Sequence, residues 1–333
     1  MTEHTTLTKA DFVSDTPAKW CPGCGDFIIL SQLQNTFAKA GIPKEDFVVI
    51  SGIGCAGRLP YYIDTYGFHT IHGRAPTIAT GVKLSNPKLQ TWIMTGDGDG
   101  LSIGANHLFH VMRKNIGVKI LLFNNEIYAL TKGQLSPTTE RGRITKTTPI
   151  GSIDKPVDPI KFALGLECGF VARTIDTEIA LTQTILDKAT LVKGTVFVEI
   201  LQNCVTFNSG TNSCIRNREI KEDYIIRLEH NKPLIFGKNK DKGLIIENFK
   251  AKVIEFNPES IPNNIAIYDE MSNEMAYIIG NMPKDGFPLP IGIFKSIDSA
   301  SYEELYSEML EETNIKNKSL EEILEDGETW EVK

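Results

Sequence analysis

With 333 residues and 41% hydrophobic content, the chain can bury one large core, alone or with an extension. Its net charge of −7 offers nothing for nucleic-acid binding, and it has no run of the roughly 18 apolar residues that a membrane span requires. Residues 1–5 (MTEHT) lack the basic and apolar regions of a secretory leader, so a cytoplasmic location is expected. There the six cysteines suit metal, redox or catalytic work better than disulfides.

Residues 1–19 are polar, contain Pro17 and read as an N-terminal arm. Phe27, Ile28, Leu30, Leu33 and Phe37 recur at helical spacing over 26–40, and Gly41 and Pro43 stop that helix. The run FVVI (47–50) predicts a buried strand entering the glycine-rich loop SGIGC (51–55). A helix at 77–84, a strand at 89–94 ending in TGDGDG (95–100), a helix at 101–114 and a strand at 118–123 ending in Asn124 and Asn125 follow. A helix near 158–168, a strand at 171–174, a helix at 177–190 and a strand at 195–201 complete the series. Apolar strands alternating with helices predict an α/β fold, a mostly parallel sheet with helices on both faces.

The composition shifts near 216 toward Lys, Asn and Glu, with scattered strand signals at 233–236 and 266–268. Residues 216–333 are therefore expected to be a C-terminal extension to a 20–215 domain. Residues 303–333 carry eleven acidic side chains and three lysines, a local −8 that leaves the rest near +1. Such a tail reads as a solvated helical face or a frayed terminus.

Ligands of open parallel sheets bind beyond the carboxyl ends of the strands. Two of these ends carry hard oxygen donors, Asp97 in Gly96-Asp97-Gly98 and the pair Asn124-Asn125, with Asn125 lying 28 residues after Asp97. One helix–strand unit fits that spacing and would bring adjacent strand ends together. A carboxylate, an amide oxygen and a backbone carbonyl are donors that Mg²⁺ accepts when diphosphate oxygens and water fill its other positions. A GDG alone is an ordinary turn; the pair at this spacing is what points to a metal–diphosphate site.

Cys21 and Cys24 form a CxxC loop, Cys55 closes the glycine loop, and Cys204 follows the strand at 195–201. Four thiolates from separate loops suit an Fe–S cluster or a structural zinc equally by ligand count. Their place beside the Asp97–Asn125 strand ends favours an electron acceptor. Cys168 reads as a core thiol, and Cys214 competes with Cys204 for the fourth position.

The stretches WCPGCGDF (20–27), GIGCAGRLP (52–60), HTIHGRAP (69–76), GDGDGLSIGANH (96–107), FNNEIYALTKGQLSPTT (123–139) and QNCVTFN (202–208) together resemble the beta subunits of the 2-oxoacid:ferredoxin oxidoreductases. The resemblance covers about 20–210 in the family's order and fades in the C-terminal third. It implies a thiamine-diphosphate-binding fold with Mg²⁺ held by Asp97, Asn125 and the main-chain carbonyl of Ile127. It further implies cofactor contacts from Ile53, Gly54, Cys55, Ala56, His72, Gly98, Asp99, Ala129 and Leu130. Cys21, Cys24, Cys55 and Cys204 would ligate one 4Fe-4S cluster, while Arg58 and Lys132 would face the substrate carboxylates. Ala129 stands where the family usually has glycine, a change that would narrow the pocket.

The implied activity is coenzyme A-dependent oxidative decarboxylation of a 2-oxoacid, with electrons passed to ferredoxin. Arg58 with TKGQ points toward 2-oxoglutarate, pyruvate and branched acids being the alternatives. The family takes the glutamate that activates the cofactor from an alpha subunit, and this chain shows no such domain, so an alpha partner is expected. Arg141, Arg143 and Lys146 are candidates for docking an acidic ferredoxin. The competing readings are a non-redox thiamine-diphosphate decarboxylase or carboligase subunit, which needs no placed thiols, and a zinc-stapled interaction subunit.

Overall fold

A computed structural model describes residues 7–313, 318–327 and 330. In chain order the main elements are α1 (Asp26–Lys39), β1 (Phe47–Ser51), β2 (Tyr66–His69), α2 (Ala75–Ser85), β3 (Gln90–Gly96), α3 (Ala105–Arg113), β4 (Val118–Asn124), α4 (Pro159–Gly165), β5 (Phe170–Ile175), α5 (Ile179–Leu191) and β6 (Val196–Leu201). There follow α6 (Ser213–Arg216), α7 (Lys221–Tyr224), β7 (Ile225–Leu228), β8 (Ile235–Phe236), β9 (Lys242–Glu247), β10 (Lys250–Glu255), α8 (Asn273–Gly280), β11 (Leu289–Ser296), α9 (Tyr302–Glu312) and α10 (Leu320–Glu325).

Eight strands form one sheet in the order β2-β1-β3-β4-β6-β5-β11-β7, and only the β5–β11 pair is antiparallel. Its central strands read as unbroken apolar runs because both faces are covered. In β1, Val48 and Ile50 enter one core while Phe47 and Val49 enter the other. Ile120 and Leu122 of β4 divide in the same way from Leu121 and Phe123. Helices α2, α3, α4 and α8 supply the first core; α1 and α5 supply the second.

Four differences from expectation have physical causes. The edge strand β2 is exposed at every position, so it lacks the apolar signature that marks its neighbours. The arm is anchored by Phe12, which is fully buried against Phe37 and Phe47 with ring centroids 5.8 Å from each. The boundary expected at 215/216 does not separate an appended body from the sheet: β7 and β11 continue the main sheet, and β8–β10 form a small antiparallel sheet beside it. The helix expected at 101–114 begins as a π-helical turn over Asp99–Ile103, a form often found where function bends a helix.

The acidic tail is in part structural. Glu303 of α9 is buried, accepts from the Gly117 backbone N–H at 3.1 Å and lies 3.8 Å from Lys83. Residues 1–6, 314–317, 328–329 and 331–333, including some of the arm and tail expectations, lie outside the described residues. Among the described residues, no helix is long and apolar enough to cross a membrane.

Candidate functional site

The parallel strands β1, β3, β4 and β6 are consecutive neighbours, so their carboxyl ends form one rim. That rim carries in turn the loop ending at Cys55, the Asp97 turn, Asn125, and the loop Gln202–Asn203–Cys204. The cleft above it is lined by Ile53, Gly54, Cys55, Ala56, His72, Asp97, Gly98, Asp99, Asn125, Ile127, Ala129 and Leu130, together with Tyr128 and Gln202. Every residue expected at the metal–diphosphate site thus reaches the same cleft.

Asp97 is buried, and burial raises its carboxyl to about 6. Among the described residues no lysine, arginine or histidine pairs with it; its donors are neutral, with the Thr138 hydroxyl 2.7 Å from Oδ2. A buried carboxylate compensated only by hydroxyls and backbone suits an incoming cation. The two asparagines divide the work. Asn124 turns inward and donates through Nδ2 to Glu199 at 2.7 Å. Asn125 lines the cleft, its Oδ1 accepting from the Ile127 N–H at 3.2 Å and its carbonyl accepting from Asn208 Nδ2 at 2.9 Å.

Gly98 has no room for a side chain: a Cβ would lie 2.3 Å from the Tyr128 ring, whose hydroxyl donates to the Gly98 carbonyl at 2.7 Å. Gly52 is equally constrained, since a Cβ would lie 1.9 Å from the Asp99 carboxylate. Asp99 lines the cleft, yet its oxygens are occupied. Oδ1 accepts from Ile53 N–H at 3.0 Å, Gly73 N–H at 2.8 Å and His72 Nδ1 at 2.6 Å, while Oδ2 accepts from Thr95 at 2.7 Å. Asp99 therefore binds the loop after β1 to the loop carrying His72 and orients that imidazole.

The cysteine loops meet beside this cleft. Trp20 donates from its indole N–H to the Cys55 carbonyl at 2.8 Å, joining the CxxC segment to the glycine loop. The Thr206 hydroxyl donates to Cys21 Sγ and the Phe207 N–H to Cys204 Sγ, each at 3.4 Å. Gly23 packs on Val205, a Cβ there lying 3.8 Å from its side chain. Burial and the nearby Asp26, Cys204 and Cys21 raise the Cys55 thiol to about 11, and burial with Asp26 raises Cys24 further. Cys214 instead lines a separate cavity with Glu126, Arg143 and Asn208, and Cys168 is buried in the core. Among the described residues, no three His, Cys, Asp or Glu side chains are spaced to hold a single metal ion.

Arg58 and Lys132 do not line the cleft. Arg58 is half-buried next to Cys55 in the sequence-adjacent turn and donates to the Lys19 carbonyl at 3.1 Å. Lys132 is exposed at the tip of the turn 128–134, where its backbone has φ of 78°. Sequence reasoning did not single out Thr138, Glu199, Gln202, Asn208 or Trp20. Four of these five lie within or beside the quoted motifs, which was the only signal available; Glu199, inside a strand, carried none beyond being a charge in an apolar run.

Comparison with known proteins agrees with this geometry. Residues 52–200 match the family model described as the thiamine pyrophosphate enzyme C-terminal TPP binding domain. The 2-oxoglutarate oxidoreductase subunit KorB of Mycobacterium tuberculosis is 42% identical over 329 residues, covering 97% of this chain and 88% of the relative. The beta subunit of 2-oxoacid:ferredoxin oxidoreductase 1 of Aeropyrum pernix is 40% identical over 220 residues, 66% of this chain and 68% of the relative. A 2-oxoglutarate:ferredoxin oxidoreductase from Magnetococcus marinus, solved with 2-oxoglutarate, coenzyme A and succinyl-CoA bound, superimposes with a TM-score of 0.79 at 28% identity, covering 98% of each chain.

Proposed function

The chain belongs to the beta-subunit family of the 2-oxoacid:ferredoxin oxidoreductases, and on that premise we propose that it binds thiamine diphosphate with Mg²⁺, holds a 4Fe-4S cluster beside it, and acts on 2-oxoglutarate. The observation that carries this reading is the shared rim of β1, β3, β4 and β6, which gathers Cys55, Asp97 and Asn125 on one cleft that the Cys204 loop reaches through Gln202. When bound, thiamine diphosphate supplies the carbanion-stabilising centre on which a 2-oxo acid loses CO₂.

Asp97, Asn125 and the Ile127 carbonyl would hold the cation, and the backbone at Gly98, which lines the same cleft, would face the diphosphate. His72, held through Nδ1 by Asp99, keeps Nε2 as its free nitrogen on the cleft side. Cys21, Cys24, Cys55 and Cys204 would hold the cluster; four irons span more space than one ion, so their thiolates stand further apart than those of a zinc site. Cys204 is preferred to Cys214, because Cys21 and Cys55 both feel Cys204 or its loop while Cys214 faces another cavity. Coenzyme A accepts the acyl group and ferredoxin the electrons.

The cleft encloses about 100 Å³. Sites that bury a whole drug-sized ligand run to roughly 300–1,000 Å³, so this one suits the diphosphate end of the cofactor and leaves the rest to a partner surface. That partner is an alpha subunit contributing the activating glutamate. Arg58 and Lys132 act on the substrate carboxylates once that surface is in place, an arginine fork and a lysine charge matching the two carboxylates of 2-oxoglutarate. The protein works in the cytoplasm.

The test is reconstitution. The purified pair should be brown, bleach with dithionite, and reduce a dye with 2-oxoglutarate and coenzyme A; the single chain should share the colour and the bleaching but not reduce the dye. A colourless, iron-free holoprotein, or full activity from this chain alone, refutes the reading. Faster turnover of pyruvate than of 2-oxoglutarate refutes the substrate assignment.

A further inference from the structure

Thr138 lies in the SPTT stretch, 4% exposed, with its hydroxyl 2.7 Å from Asp97 Oδ2 and 3.0 Å from Asn124 Oδ1. Asn124 in turn donates to Glu199 at 2.7 Å, and Glu199 accepts from Arg173 Nε at 2.6 Å. Asn124, Glu199 and Arg173 are all buried, and with Thr138 they line a cavity of about 90 Å³. Ser136 brings a second hydroxyl, 3.3 Å from that of Thr138, and the Thr139 hydroxyl donates to the Glu126 carbonyl at 2.7 Å. The loop thus grips the Asp97 turn and the loop after β4 together.

We propose that Thr138 is a positioning residue that locks the Asp97 carboxylate in the orientation needed for a single-point bond to Mg²⁺. This deepens the proposed Mg²⁺–thiamine diphosphate site and rests on that reading. The Thr138 hydroxyl on Oδ2, joined by donation from Ser136 and the Gly98 backbone to the same carboxylate, resists the rotation that would bring both oxygens to one cation. Mg²⁺ demands near-ideal octahedral geometry at about 2.0–2.1 Å, whereas Ca²⁺ accepts two-point carboxylates and looser shells. A clamped carboxylate therefore selects for Mg²⁺; a free one loses that selectivity.

The experiment is calorimetric titration of Mg²⁺, and separately of Ca²⁺, into the metal-free assembled enzyme with thiamine diphosphate present. Thr138→Val, which keeps shape and removes the hydroxyl, should weaken Mg²⁺ about 10–100-fold, the usual cost of losing a partner that orients a metal ligand. Ca²⁺ should weaken far less, and Thr138→Ser should restore the wild-type ratio. Equal losses for both ions, or a Thr138→Val affinity within twofold of wild type, overturns the proposal. If Thr138→Val does not fold, as judged by its thermal transition, Thr138→Ala is read by the same Mg²⁺-to-Ca²⁺ ratio, and an unchanged ratio overturns the proposal. Wild-type enzyme that takes up thiamine diphosphate without any divalent ion overturns the underlying site assignment instead.

Discussion

His72 Nδ1 lies 2.6 Å from Asp99 Oδ1, and the same oxygen accepts the backbone N–H groups of Ile53 and Gly73. One buried carboxylate therefore sets the glycine loop after β1, the turn at Gly73 and the direction of the imidazole. Hydrogen bonds to a charged group contribute about 1.5–3 kcal/mol each. Asp99→Asn should weaken thiamine diphosphate binding by about tenfold or more, because a neutral amide cannot serve three donors equally. Cofactor titration of the assembled enzyme checks this; unchanged affinity would mean that Asp99 only stabilises the fold.

The pH dependence of the metal-free protein follows from Asp97, whose carboxyl burial raises to about 6. An acid with a folded pKa above its unfolded value favours folding while protonated, and that favour is lost as pH rises from near 4 through 6. Asp97→Asn should accordingly be more stable than the wild type at pH 7 without metal, and no more stable at pH 4. Mg²⁺ with thiamine diphosphate should reverse the order, stabilising only the wild type. Melting temperatures at the two pH values, with and without the cofactor, test both halves.

Trp20 joins the two cysteine segments through its indole N–H on the Cys55 carbonyl at 2.8 Å, and its ring packs edge-on against Tyr62 at 4.8 Å. Trp20→Phe keeps much of the aromatic packing and removes the donor, a loss of about 1 kcal/mol. Cluster loss in air, followed by visible absorbance, should then run about fivefold faster at little cost in melting temperature. An unaltered rate would assign Trp20 to packing alone.

Arg173 is buried among Glu199 at 2.6 Å, Asp158 at 3.4 Å and the Phe294 ring at 5.6 Å. Removing one partner of a buried ion pair costs about 3–5 kcal/mol, since the other charge is left uncompensated. Arg173→Met should destabilise by that amount in denaturant titration, and Arg173→Met with Glu199→Gln by clearly less than the two single losses added. Strict additivity would show that the pair is not coupled.

The chain order of the Asp97, Asn125 and Cys55 loops, and the alternation that makes the sheet parallel, were legible without coordinates. Apolar runs such as FVVI and VKILLF can only be buried on both faces, and glycine-flanked polar residues at their ends can only face a ligand or a turn. Three things needed the tertiary structure. The order of strands put four loops on one rim, because pairing depends on contacts between residues far apart in sequence. The C-terminal third proved to extend the sheet, since β7 has only four residues and the eight of β11 take their burial from neighbours that local composition does not reveal. Asp99 and Thr138 acquired roles as orienting residues only through hydrogen bonds of 2.6 and 2.7 Å to partners 27 and 41 residues away. The identity of the donors was local; the geometry that aims them is a property of the packed sheet.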